Sequence, residues 1–215
     1  MNKSITLSKP IPRLAVLLLA AGEGARLGSY PKALLKKDGQ SLIKRFCLAV
    51  AELSPVQIVI VTGFHADLIE AEIQELQEKT SLPISIIRNL AAKQGQVSSV
   101  RLGLESLHGE YDLVLVALSD QPGIGVAELQ ALFNVYLQRK SGKQVILPLV
   151  NGQRGNPVLF SSTVIKDILA MPGMVCRPYL DQHPELIECM TTDLQGYVLD
   201  VDTLEDIVRE NLTLG

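Results

Sequence analysis

The stretch LAVLLLAAGEGARLGSYPKALL, residues 14–35, decides how the chain is read. Its first part, LAVLLLA over 14–20, is apolar without alternation, the pattern of a strand covered on both faces. The run then breaks into a loop with glycines at 22, 24 and 28, where bare backbone N–H groups can approach a phosphate. Arg26 and Lys32 follow as the cations a triphosphate requires. No Gly-Lys-Ser/Thr follows these glycines, so the loop is not a Walker P-loop. Leu27 stands where a dinucleotide fingerprint needs its third glycine. Taken alone, the loop also has a plainer reading, a tight strand-to-helix turn with two surface cations, which the spacing favours less.

Further apolar, β-branched runs recur at 57–63, 84–89, 112–118 and 144–150. Segments with three- and four-residue apolar spacing separate them, at 41–53, 66–79, 98–107 and 126–140. Alternation of this kind demands right-handed crossovers and a mainly parallel sheet. The chain has 215 residues with no repeat and no linker-like stretch, which suits one three-layer α/β domain over 14–215 behind a flexible polar lead over 1–13. The last third is less regular. Two extended segments joined by a polar loop are expected over 147–160, then a helix over 161–171 capped by Ser161 or Ser162. A short strand near 196–201 and a final helix from Thr203 complete the expectation.

Composition excludes several classes. With a net charge of -3 and aromatic residues at 4%, the chain has neither the basic stripe nor the stacking platforms of a nucleic-acid binder. The longest apolar run, 14–21, is too short to span a bilayer, so no membrane is expected. Cys47, Cys176 and Cys189 show no metal-ligand spacing and read as reduced thiols of a cytoplasmic protein. His65, His108 and His183 share no motif with them and read as surface or helix-end residues.

In an open parallel sheet, ligands gather at the carboxyl ends of the strands. Asp120 stands at such an edge in VALSDQPGIG, as a magnesium ligand or as a cap for the following helix. Asp200 and Asp202, in YVLDVDTLEDI, sit two residues apart on extended chain, and either is also a candidate cap. Hard divalent cations bind through few carboxylates plus phosphates, so distant acidic residues converging on the glycine loop would suit phosphoryl chemistry.

The motifs in order now carry a resemblance. LAAGEGARLG-SY-PK resembles the signature of the MobA-like nucleotidyltransferases. GQVSSVRLGL (95–104), SDQPG (119–123), NGQRGNPVLF (151–160) and LDVDTLED (199–206) resemble successive motifs of the molybdenum cofactor cytidylyltransferase branch. The resemblance implies a Rossmann-like fold of the nucleotide-diphospho-sugar transferase type and Mg²⁺-dependent transfer of CMP from CTP to the cofactor's terminal phosphate, with release of pyrophosphate. By motif position, Arg26 and Lys32 hold the triphosphate and serve as the catalytic pair. Gly22 and Gly24 belong to the same loop, Ala20, Ala21, Gly95, Gln96 and Ser99 lie near the base, and Asp120 and Asp202 hold Mg²⁺. Ala21 favours CTP, because family members with glycine there use GTP. Arg154 and Asn156 fall on the acceptor side.

On that side the chain departs from the family pattern. Asn156 replaces a usual histidine, and MPGMVCR (171–177) lacks the acidic residue of the family's GDxGAR segment. The expected partners are CTP, a phosphorylated acceptor such as the molybdenum cofactor, and a molybdoenzyme receiving the product. Two other readings compete: transfer to a sugar or polyol phosphate, and a nucleotide-binding accessory protein without turnover.

Overall fold

The computed structural model describes residues 11–215. Most of the lead expected over 1–13 therefore lies outside the described residues. Arg13 is held: its guanidinium pairs with Asp112 at 3.2 Å and Glu110 at 2.5 Å.

β1 (Leu14–Ala20) is buried along its whole length. It is followed by a small hairpin, β2 (Lys36–Lys37) and β3 (Gln40–Ser41), and by α1 (Leu42–Ala51), whose N-cap Ser41 accepts from the N–H of Lys44. β4 (Gln57–Thr62), α2 (Ala66–Lys79), β5 (Ile84–Arg88), α3 (Gln96–Glu105), β6 (Leu113–Leu118) and α4 (Val126–Gln138) continue the alternation read from the sequence. β1 lies between β4 and β6, parallel to both. Its alternate side chains serve two cores. Val16 and Leu18 pack with α1, α2 and α4, while Ala15, Leu17 and Leu19 pack with α3 and the later helices. A strand burying both faces this way gains about 1.5–3 kcal/mol from each large aliphatic side chain, which is why no polar residue interrupts 14–20.

The irregular third resolves into a meander. β7 (Val145–Val150) turns back through Asn151 and Gly152, with φ of 50° and 82°, into β8 (Gln153–Arg154). Asn-Gly with both φ positive is a turn whose twist matches a hairpin. β9 (Val158–Ser161) then runs antiparallel between β6 and β7. α5 (Ser162–Ala170) starts on Ser161, whose Oγ accepts from Val164 at 3.3 Å, one of the two expected caps. The sheet order is β10-β7-β9-β6-β1-β4-β5, with β10 spanning Ile187–Thr191. The mainly parallel three-layer expectation is borne out, with β8 and β9 as its antiparallel members.

The strand expected near 196–201 does not form. A 3-10 turn occupies Gln195–Tyr197, and the edge strand is β10 instead. Tyr197 explains the difference. It is fully buried, its hydroxyl donates to the carbonyl of Glu128 at 2.7 Å, and its own carbonyl accepts from the N–H of Asn156 and from Gln121. These anchors take the segment off the sheet. α6 (Cys176–Gln182), between α5 and β10, is a helix the periodicity did not announce. α7 (Leu204–Arg209) begins at Thr203, as expected.

Candidate active site

The carboxyl ends of β1 and β6, with the turn before α3, enclose a cleft of about 450 Å³. Ala20, Ala21, Gly22, Lys32, Gly95, Gln96, Ser99 and Asp120 all line it, although they come from three distant segments. α3 reaches the cleft because Gly103 lets it lie close on β1; a Cβ there would stand 2.3 Å from Leu17 Cδ1.

The glycine loop is shaped by one close approach. Gly24 has φ of 68°, and a Cβ would lie 2.1 Å from the Tyr30 carbonyl oxygen, so only glycine fits. The loop then makes a 3-10 turn over Ala25–Leu27. Leu27 is buried in a small cluster with Leu35, Val201 and Ile207. That anchor carries the loop to the C-terminal segment and sets Arg26 beside Asp202, with Nη1 donating to Oδ2 at 2.5 Å. His65 Nε2 also lies 2.8 Å from the Glu23 carbonyl, a contact that ties the loop to the start of α2.

Lys32 is the centre of the charged group. Its ammonium donates to Asp120 Oδ2 at 3.3 Å and forms an ion pair with Asp202. Asp120 and Asp202 approach because the Val201 N–H donates to the Asp120 carbonyl at 3.1 Å. Neither acid is a helix cap: Gly125 caps α4, and Thr203 caps α7 with Asp206 closing the box. That alternative is removed for both.

Burial pushes the Asp120 carboxyl above its ordinary range; Lys32 counters part of this and Asp200 adds to it. Asp202 moves the other way, held down chiefly by the Lys32 hydrogen bond. Burial pulls Lys32 down, but the two carboxylates outweigh it and leave its pKa raised.

The donor set suits a divalent ion that brings its own phosphate oxygens. Among the described residues, the carboxylates of Glu23, Asp120 and Asp200 line the cleft with Lys32 and Lys93, and Asp202 and Arg26 join through their ion pairs. Such a balance disfavours a bare triphosphate and accommodates one carried with a cation. Among the described residues, no three acidic, histidine or cysteine side chains gather closely enough to hold an ion alone. Two carboxylates completed by phosphates is the arrangement hard cations such as magnesium adopt.

Arg154 and Asn156 are not brought into this cleft. They line a second one of about 450 Å³ with Gly155, Cys176 and Arg177, and Arg154 pairs with Asp181 at 2.5 Å. The Tyr197 carbonyl, which accepts from both the Asn156 N–H and Gln121, ties the neighbour of Asp120 to the second cleft. Two further charged residues line the cleft, Lys93 and Asp200. Lys93 lies on the turn after β5, where a lone lysine among small residues at a strand's carboxyl end was the available signal; Asp200 is the second acidic residue that the YVLDVDTLEDI segment offered.

Fold and site together define a nucleotidyltransferase. A family model described as the MobA-like NTP transferase domain matches residues 16–185, and the chain belongs to that family. It is 30% identical over 210 residues to nicotine blue oxidoreductase of Paenarthrobacter nicotinovorans, covering 93% of this chain and 97% of the relative. Among solved structures it is similar to a nucleotidyl transferase from Methanothermobacter thermautotroptrophicus, with a TM-score of 0.71 at 21% identity over 92% of this chain and 95% of the other. It is also similar to 4-diphosphocytidyl-2C-methyl-D-erythritol synthase from Anaerococcus prevotii, with a TM-score of 0.71 at 15% identity over 93% and 95%. A manganese complex of Rv0371C from Mycobacterium tuberculosis superposes with a TM-score of 0.64 at 20% identity over 92% and 97%. Among the described residues, no helix is long and apolar enough to cross a membrane.

Proposed function

We propose that this chain is a single-domain, cytoplasmic cytidylyltransferase that moves CMP from CTP to the terminal phosphate of the molybdenum cofactor and releases pyrophosphate. The observation that carries the reading is the position of Lys32, bridging Asp120 and Asp202 at a cleft lined by Ala21, Gly22, Gly95 and Ser99. Asp120 and Asp202 would hold Mg²⁺, which, when bound, neutralises phosphate charge as a Lewis acid. The acceptor phosphate is already ionised at neutral pH, so the protein needs no general base to activate it. Its work is to bring two anions together and to offset the charge that develops on the α-phosphate. Lys32 and Arg26 supply the cations for that task, and the loop N–H groups of Gly22 and Gly24 orient the triphosphate. The Ala21 methyl narrows the base end in favour of cytosine.

A second acceptor class, a sugar or polyol phosphate, has its own support. The second cleft departs from the cofactor pattern at Asn156, and its Arg154 is already engaged by Asp181. The test is a panel of CTP and GTP against purified molybdenum cofactor, polyol phosphates and sugar phosphates, read as pyrophosphate release. Release from CTP with the molybdenum cofactor alone is the expected result. Release only with a polyol or sugar phosphate replaces the acceptor, and CTP binding with no release under any acceptor overturns the enzymatic reading. A parallel assay with nicotine blue covers the oxidoreductase activity in the name of the Paenarthrobacter nicotinovorans relative.

A further inference from the structure

The turn between β5 and α3 contains a hydrogen-bond chain whose direction is fixed from one end. Asn89 closes β5 and is 6% exposed. Its Oδ1 accepts the Ala91 N–H at 2.9 Å, which settles which end of the amide is oxygen. Nδ2 therefore points at the two serines and donates to Ser98 Oγ and Ser99 Oγ, each at 2.9 Å. Ser98 passes its proton on to the Gly95 carbonyl at 2.8 Å. Ser99, 3% exposed and on the cleft wall, takes the Asn89 hydrogen and has no acceptor among the described residues for its own proton.

A hydroxyl that must accept on one side is left to donate on the other. We infer that Asn89 is a positioning residue that holds Ser99 as a hydrogen-bond donor toward the nucleobase. The cleft then favours a base presenting an acceptor at that point, such as the O2 of a pyrimidine or the N3 of cytosine. The inference rests on reading this cleft as the nucleotide site. Asn89 does not touch the base. It sets the sense of the hydroxyl that does, and through Ala91 it also braces the turn carrying Lys93 and Gly95.

Asn89→Asp is the informative change. One carboxylate oxygen still accepts from Ala91, but the other now accepts where the amide donated, so Ser99 turns its proton inward and offers a lone pair to the cleft. Calorimetry with CTP and with inorganic triphosphate, both with the same divalent ion, separates base from phosphate contacts. The ratio of the two affinities should fall roughly tenfold in Asn89→Asp and in Ser99→Ala, with no further fall when the two are combined. Inorganic triphosphate corrects for the added charge. An equal loss on adding Asn89→Asp to Ser99→Ala overturns the inference, because Asn89 would then act through the fold. An unchanged ratio in Asn89→Asp beside a reduced one in Ser99→Ala also overturns it while leaving the site reading intact. No binding of CTP or triphosphate by the unmodified protein overturns the site reading itself. If Asn89→Asp does not fold, Asn89→Ala frees the Ser99 rotor and should lower the ratio about threefold, again only when Ser99 is present; an unchanged ratio there overturns the inference.

Discussion

Replacing Lys32 by alanine should separate a structural role from a chemical one. The ammonium lies 3.3 Å from Asp120 and also pairs with Asp202; the three side chains are 19%, 21% and 33% exposed. At an effective dielectric near 20, one such contact has a gross Coulomb energy of about 5 kcal/mol, most of it offset by desolvation. Removing one partner of a fully buried pair costs about 3–5 kcal/mol. Here water reaches the group and Arg26 still faces Asp202, so about 2 kcal/mol is the reasonable loss. For a chain of this size that lowers Tm by about 4–8 °C in metal-free buffer. Mn²⁺ should then stabilise Lys32→Ala more than the parent, because the ion no longer competes with the ammonium for the two carboxylates. An ion at about 100 times its Kd contributes about 2.7 kcal/mol, enough to close the gap. Turnover should not return with it. Loss of a cation that meets transition-state charge costs about 10²–10³ in rate. Differential scanning calorimetry with and without Mn²⁺, beside pyrophosphate release, reads both effects. If metal stabilises the two proteins equally, Lys32 does not occupy the ion's ligands; if turnover stays within threefold, it is not in the chemistry.

The two acids should respond to substitution with opposite signs. Asp120 has a raised folded pKa, so its ionised form opposes folding: its contribution is favourable below the ordinary value of 3.8 and is lost as pH rises through the raised one. Asp202 has a lowered pKa, so its contribution is present above 3.8 and is lost as pH falls through the depressed value. At pH 7, metal-free Asp120→Asn should be as stable as the parent or more so, and Asp202→Asn less stable by about 1 kcal/mol, as thermal unfolding would show. Loss of stability in Asp120→Asn would contradict the burial argument. Ala21→Gly should raise the GTP-to-CTP ratio of pyrophosphate release, roughly tenfold for one methyl in a base pocket; an unchanged ratio would remove Ala21 from base selection.

The parallel half of the fold was legible because each strand there is buried on both faces and each connection is a helix with one apolar stripe. Uninterrupted runs such as 57–62 and striped segments such as 66–79 follow directly from those two environments. β10 was not legible for a related reason. As an edge strand it buries Ile187 and Met190, three apart, and exposes Cys189 and Thr191, so IECMT carries no period of two. YVLDV looks more like a strand than IECMT does. It is kept off the sheet by the hydrogen bonds of Tyr197, which join residues as far apart as 128 and 197. Local propensity cannot anticipate contacts of that span.

The same distinction divides the two clefts. The first cleft is assembled from segments that each end a parallel strand, so the topology alone delivers Gly22 and Asp120 to one edge, and the apolar anchor of Leu27 on Val201 brings Asp202 to Lys32. Motifs read one at a time were therefore sufficient to name Ala20, Ala21, Gly22, Lys32, Gly95, Gln96, Ser99 and Asp120 of its lining. The second cleft depends on the antiparallel insertion of β9, on α6, and on the turn that holds Gly155 against Tyr197, where a Cβ would stand 2.7 Å from the carbonyl oxygen. None of these is a property of a single segment. Arg154 and Asn156 could be named from their motif, but the partners that decide what Arg154 can do, Asp181 above all, come from a helix that the periodicity left blank. An acceptor bearing a phosphate would have to displace Asp181 from Arg154 or use the exposed Arg177 beside it. If the second cleft takes the acceptor as proposed, Asp181 competes with its phosphate for Arg154. Asp181→Asn should tighten binding of a phosphorylated acceptor while leaving CTP affinity unchanged, as separate titrations would show, and a change in CTP affinity instead would mean that the two clefts do not divide the substrates as argued.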